Sequence, residues 1–285
     1  MYLDIFESRH IDILMPEYIS VILKALLWNV PVKICSAISL SGGQGKTTTV
    51  FFTALLLARQ GKKVLAVDAD PQANLTFYLG HEVQPDEPSL FEVLTKQVEV
   101  EDGVYSTQYE NLFVMPADRG LFKVSDFLSS SGAGAFILKQ RLRKVSDMFD
   151  VVLIDVQPSR SQICLSAVGA SNYVLIPVEA NVKGVNSLVD TLDFLNEQAD
   201  LEAFTGSVLG IIPFRDRWVG NTQTLEGRQN IAAMKEFAGD VPILASIRES
   251  EKFKNAIRQG QMLSDLGQPD LQYPFEQIVD ALTHE

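Results

Sequence analysis

Leu40-Ser41-Gly42-Gly43-Gln44-Gly45-Lys46-Thr47-Thr48 follows an apolar run, Lys33–Ser39, and opens a segment of helical period, Thr47–Gln60, that Gly61 closes. Strand, glycine-rich loop and helix in that order make a phosphate cradle: glycines let the backbone N–H groups turn inward, and the helix N-terminus adds positive potential. Lys46 is placed to reach the β- and γ-phosphates of a nucleotide, and the Thr47 hydroxyl to ligate Mg²⁺. The strict P-loop pattern wants a glycine where Leu40 stands, so the plain motif is not met.

Outward from this loop, short β-branched runs alternate with longer helical periods, the pattern of parallel strands joined by crossover helices. The expected strands are Lys33–Ser39, Lys63–Asp68, Leu112–Pro116, Val151–Val156, Tyr173–Val178 and Val208–Pro213, with a short one near Ile243–Ala245. Most are apolar on both faces, as buried parallel strands are. Helices are expected at Thr47–Gln60, Leu90–Lys96, Ala135–Met148, Gln162–Ala170, Val185–Gln198, Thr224–Phe237 and Pro274–Leu282. The fold class is α/β, a doubly wound, mostly parallel sheet flanked by helices. Residues 31–285 are expected to form one domain, preceded by a helical extension over residues 1–30.

Two more strands end in carboxylates. Val64-Leu65-Ala66-Val67-Asp68-Ala69-Asp70-Pro71-Gln72-Ala73-Asn74 puts Asp68 and Asp70 at the C-terminal end of the second strand, the edge at which doubly wound sheets bind ligands. Val151-Val152-Leu153-Ile154-Asp155 is an apolar strand ending in one carboxylate, an arrangement that holds a Mg²⁺-bound water beside a P-loop.

Gly42-Gly43-Gln44-Gly45-Lys46-Thr47-Thr48 followed by Asp68-Ala69-Asp70-Pro71-Gln72-Ala73-Asn74 resembles the deviant Walker A and A′ motifs of the ParA/MinD ATPases, and the likeness runs from about Lys33 to the C-terminus. The resemblance implies ATP and Mg²⁺ as cofactors. Gly42, Gly43, Gln44 and Gly45 would wrap the phosphates, Lys46 would contact the β/γ-phosphates, Thr47 the magnesium and Thr48 the α-phosphate. Asp70 would orient the attacking water, and Asp155 would hold Mg²⁺ through water. The adenine pocket would fall on Pro213-Phe214 and Ile247-Arg248-Glu249. Members of the family dimerise face to face around two ATP molecules, and hydrolysis breaks the sandwich.

One position departs from that pattern. The family's second lysine, which reaches across the dimer to the partner's phosphates, should stand immediately before the glycine pair, where this chain has Ser41. A hydroxyl cannot stabilise developing phosphate charge as a cation does, so either catalysis is altered or another cation substitutes. Lys183, in Glu179-Ala180-Asn181-Val182-Lys183-Gly184, occupies a loop that faces the dimer partner in the family; it either reaches the opposite ATP or is a solvated lysine at a helix start. Arg160 is a second candidate, and Gln157 has no account from sequence. The serine resembles the subgroup of the family that positions carboxysomes more than its plasmid-partition or cell-division members.

The 285 residues are 46% hydrophobic and 21% charged, which rules out a disordered chain. Cys35 and Cys164 form neither a disulfide framework nor a metal-ligand spacing, and do not supply the paired cysteines of the related iron–sulfur reductases. A net charge of −12 argues against a surface that coats nucleic acid, yet Gly206–Gly260 carries eight basic against six acidic residues. That local excess admits a DNA-facing patch, for which Arg215, Arg217, Arg248, Lys252, Lys254 and Arg258 are the candidates. The acidic ending Gln277–Glu285 lacks the basic membrane helix of MinD-type members, and no stretch reads as an export signal. The expectation is a cytoplasmic, nucleoid-associated ATPase: a homodimer in the ATP state that binds DNA without sequence preference, takes a small cargo adaptor and has no membrane partner. A partition ATPase, or a nucleotide-gated scaffold that scarcely hydrolyses ATP, are the alternatives.

Overall fold

Runs of Val, Ile, Leu and Ala account for the centre of the sheet, because such side chains pack on both faces of a pleated strand. The computed structural model describes residues 32–284. The helical extension expected over residues 1–30 lies outside the described residues. The strands are β1 (Lys33–Ala37), β2 (Val64–Ala69), β3 (Tyr105–Ser106), β4 (Leu112–Met115), β5 (Val151–Val156), β6 (Tyr173–Glu179), β7 (Ser207–Asp216), β8 (Trp218–Val219), β9 (Thr222–Gln223) and β10 (Ile247–Arg248). Eight of them form one sheet in the order β10-β7-β6-β1-β5-β2-β4-β3, parallel except at the β3–β4 edge; β8 and β9 make a separate antiparallel hairpin.

Side chains alternate between two cores. Val152, Ile154 and Val156 of β5 enter one, and Val151 and Leu153 the other. On the second face lie α1 (Lys46–Arg59), α9 (Lys252–Gln259) and α10 (Pro269–His284), where Phe253 packs edge to face on both Phe52 and Phe275. The first face carries α3 (Leu90–Leu94), α4 (Val124–Ser130), α5 (Gly134–Leu142), α6 (Gln162–Ala170), α7 (Val182–Asp200) and α8 (Leu225–Phe237). The short α2 (Asn74–Tyr78) follows β2.

Three expectations shift. The strand expected at Ile243–Ala245 is reduced to one bridge, Ile211 with Ile243. The Ala245 N–H is taken by the Gln277 side chain at 2.8 Å, which interrupts the ladder until β10. The last helix begins at Pro269 rather than Pro274: the proline-at-first-turn signal belongs to the earlier residue, and Pro274 lies inside the helix. The helix expected to run to Met148 ends at Leu142 and continues as a tighter 3₁₀ turn, Arg143–Val145.

Candidate functional site

Parallel strands all end at one edge, so β1, β2 and β5 deliver their loops to the same place. In register, Ala37 lies beside Asp155 and Asp155 beside Asp68, which aligns the phosphate loop with both strand-end carboxylates. Gly45 sits in the left-handed region (φ 94°) at the N-terminus of α1, and a Cβ there would stand 2.5 Å from the Phe214 ring. Glycine is required on both counts. The cleft has a volume of about 250 Å³ and is lined by Gly42, Gly43, Gln44, Gly45, Lys46, Thr47 and Thr48, with Asp70 and Phe214 among the opposing residues.

Lys46 is buried, and its Nζ donates to the Ser39 carbonyl at 3.1 Å and the Ser41 carbonyl at 3.2 Å. Burial lowers its pKa, with the Asp155 and Asp70 charges opposing. Gln44 is fully buried, and its Oε1 accepts the Glu179 N–H at 2.7 Å, tying the phosphate loop to the end of β6. Asp155 is 1% exposed, and neither carboxylate oxygen has a hydrogen-bond partner among the described residues. Burial, then the Asp68 charge, pushes its pKa up to about 8, against the Thr47 hydroxyl and Lys46.

Asp68 has a different environment. Its Oδ2 accepts the Thr76 N–H at 2.8 Å and the Thr76 hydroxyl at 2.7 Å, and its Oδ1 accepts the Asp70 N–H at 3.2 Å. Burial raises its pKa to about 6 in spite of these donors. Asp68, expected at the ligand-binding edge as a cofactor-site residue, is fully buried, does not line the cleft and fastens the Asp70 loop to α2. Asp70 itself lines the cleft, its Oδ1 held by the Gln72 N–H at 2.9 Å.

Of the expected adenine pocket, Phe214 lines the cleft. Pro213 and Ile247 are buried in their strands, the Arg248 guanidinium lies 4.1 Å from the centre of the Trp218 ring, and Glu249 accepts a bond from Arg217 Nε at 2.9 Å. Arg160 is not in the cleft. Its guanidinium pairs with Glu197 at 2.9 Å on the surface and lies 5.4 Å from the centre of the Phe194 ring. Gln157 finds a role in the fold: its Nε2 donates at 2.7 Å to Ser161, the residue that caps α6. Cys35 and Cys164 are both buried, with burial pushing their thiols up, Cys164 to about 12, so neither is poised as a thiolate.

A family model described as an AAA domain matches residues 32–203. The chain is 52% identical over 244 residues to Maintenance of carboxysome distribution protein A of Gloeothece citriformis, covering 86% of this chain and 94% of that one. It is 50% identical over 244 residues to the protein of the same name from Synechococcus elongatus, covering 86% and 96%. An ATP complex of Cyanothece McdA superposes with a TM-score of 0.86 at 51% identity, covering 88% of this chain and 96% of that one. The chain belongs to the ParA/MinD family.

In this ParA/MinD chain Lys183 lies exposed on the first turn of α7, outside its own subunit's cleft. Its turn is well anchored. Asn181 caps the helix through the Gly184 N–H at 2.8 Å, and a Cβ on Gly184 would fall 1.9 Å from the Glu179 carbonyl oxygen. Lys252, Lys254 and Arg258 project from the solvent face of α9 while Phe253 and Ala256 fill the core. Sequence reading missed α9, although Phe253, Ala256 and Ile257 followed by Gly260 carry the helical period and its stop. It also missed Asp216. That residue is fully buried and accepts from Trp218 Nε1 at 2.8 Å, Gln223 Nε2 at 3.0 Å and Ser246 Oγ at 2.7 Å, which fixes the β8–β9 hairpin beside β10. No periodicity marks such a residue.

No helix among the described residues is long and apolar enough to cross a membrane. No three His, Cys, Asp or Glu residues among them cluster to hold a metal.

Proposed function

We propose that the chain is a Mg²⁺-dependent ATPase that works as an ATP-sandwich homodimer, binds nucleoid DNA without sequence preference and distributes carboxysomes in the cytoplasm while a small adaptor protein stimulates hydrolysis. The observation that carries this reading is the convergence of Lys46, Thr47, Asp70 and Asp155 on one phosphate loop, in a chain about half identical to proteins named for carboxysome distribution.

Each residue has a role that follows from its chemistry. The loop N–H groups and Lys46 bind the phosphates, Thr48 lies against the α-phosphate, and Asp70 orients a water at the cleft mouth. The orphaned buried oxygens of Asp155 and the Thr47 hydroxyl are hard oxygen donors that fit Mg²⁺. Bound there, the ion would neutralise charge developing on the transferred phosphoryl group. Lys183, displaced from its own cleft and carried on a rigid turn, reaches the partner's ATP in place of the lysine missing at Ser41. Lys252, Lys254, Arg258, Arg217 and Arg248 supply the DNA surface, and two subunits together assemble enough positive charge for weak, salt-sensitive binding. The scaffold alternative is favoured by Ser41 alone.

Reversing charge at Lys252 and Lys254 to Glu should abolish ATP-dependent retention on DNA while ATP binding persists. Unchanged retention removes α9 from the DNA surface. Steady-state phosphate release with and without DNA completes the test: release at background in both marks a scaffold rather than an ATPase.

A further inference from the structure

The cleft offers two cations, Lys46 and Arg215. Sequence groups Arg215 with the basic patch, but in the structure it also lines the cleft of the phosphate loop. It is the penultimate residue of β7, between two buried residues, Phe214 and Asp216, and its backbone sits in the left-handed region at φ 52°, a conformation that costs energy for a residue with a Cβ. Its guanidinium lies 5.5 Å from the centre of the Phe214 ring, and that ring packs on Gly45, the residue before Lys46. Phe214 thus spans from β7 to the phosphate loop with the guanidinium along its face.

What holds Arg215 there is weak. Its Nη1 donates to Glu179 Oε1 at 3.3 Å, at the long end for such a bond, and the arginine side chain is 49% exposed. Glu179 is the fixed partner, since its N–H is bound to Gln44 of the loop at 2.7 Å. A phosphate presents more charge than a carboxylate and matches the planar guanidinium fork in two parallel bonds, so an arriving nucleotide competes well for this side chain.

We infer that Arg215 is a nucleotide-binding residue acting within its own subunit: it exchanges Glu179 for the phosphate chain of the bound nucleotide and supplies part of the positive charge that Ser41 withholds. The inference rests on the ATP-site reading above. It assigns Arg215 a task distinct from that of Lys183, which lies outside this cleft: Arg215 sets affinity for nucleotide, without any need for a dimer.

The test is titration of the full chain with ATP and with GTP in the presence of Mg²⁺. Arg215→Gly removes the guanidinium and relieves the backbone conformation, and should weaken ATP binding about tenfold, the scale of one charge-assisted bond. Arg215→Lys should recover part of the loss, as a point charge does for a fork. Glu179→Gln frees the arginine and should tighten binding, an effect opposite in sign that loss of packing would not produce. The loss should be equal for ATP and GTP; a loss confined to ATP would mean stacking on the base and would overturn the phosphate assignment. Undiminished ATP binding by Arg215→Gly overturns the inference alone, as does loss of DNA retention with ATP affinity unchanged. A wild-type chain that binds no ATP overturns the inference together with the reading it rests on.

Discussion

Charge is handled in opposite ways at the two halves of the site. At the central strand ends, Lys46, Asp68 and Asp155 are buried together, and Asp155 has no hydrogen-bond partner among the described residues. At the rim, Glu179 with Arg215, Arg217 with Glu249 and Lys254 with Glu251 form pairs that are largely open to solvent. A buried unpartnered charge is costly, whereas an exposed pair is worth roughly 0–1 kcal/mol and exchanges readily with other ligands. The centre is therefore paid for by what it does to a bound nucleotide, and the rim is free to rearrange. The centre should govern whether hydrolysis occurs, and the rim what is bound and when.

The sharpest test of that division is Asp70→Ala. Asp70 lines the cleft, and among the described residues its side chain accepts only the Gln72 N–H. Turnover should fall by about 10²-fold or more, the scale of a group that positions or accepts a proton, while ATP binding is kept. Equal losses in phosphate release and in ATP affinity would show that the centre cannot be separated into binding and chemistry. A smaller effect is expected from Lys183→Ala. If its ammonium crosses to the partner's ATP, turnover drops by roughly tenfold or more with ATP affinity unchanged, as for an interaction made only in the transition state. Phosphate release equal to wild type would dispose of the trans role and leave Lys183 a solvated lysine.

The centre was legible in the sequence because its signals are local. A glycine loop between strand and helix, and carboxylates closing apolar strands, put Lys46, Asp70 and Asp155 at one edge once the sheet is parallel. The rim was less legible because its contacts join residues far apart in the chain. Gln44 binds Glu179 across 135 positions, and Ser246 reaches Asp216 across 30. Arg215 looked like one more member of a basic stretch, since nothing in composition reports a left-handed backbone. Asp68 misled for a related reason: position on the strand placed it at the ligand edge, and only its bonds to Thr76 show that its oxygens are already used.

The pH dependence of the nucleotide-free chain probes the centre by itself. Asp155 and Asp68 have pKa values raised to about 8 and about 6, in each case chiefly by burial, against an unfolded value near 3.8. A raised carboxyl pKa means that the folded state binds protons more tightly than the unfolded one, so its contribution to stability is complete below about pH 4 and is lost as pH rises through the folded value. The nucleotide-free chain should therefore melt at progressively lower temperature from about pH 4 to pH 8, with Asp155 responsible for the upper half of that window. Asp155→Asn removes the ionisation while keeping the shape of the side chain. Its melting curve should coincide with wild type near pH 4 and lie several degrees above it at pH 8, on a scale of about 2–4 °C per kcal/mol for a domain of this size. Parallel profiles for wild type and Asp155→Asn would mean that water or a rearranged Thr47 already satisfies the carboxylate, and the contrast between a strained centre and a relaxed rim would fail.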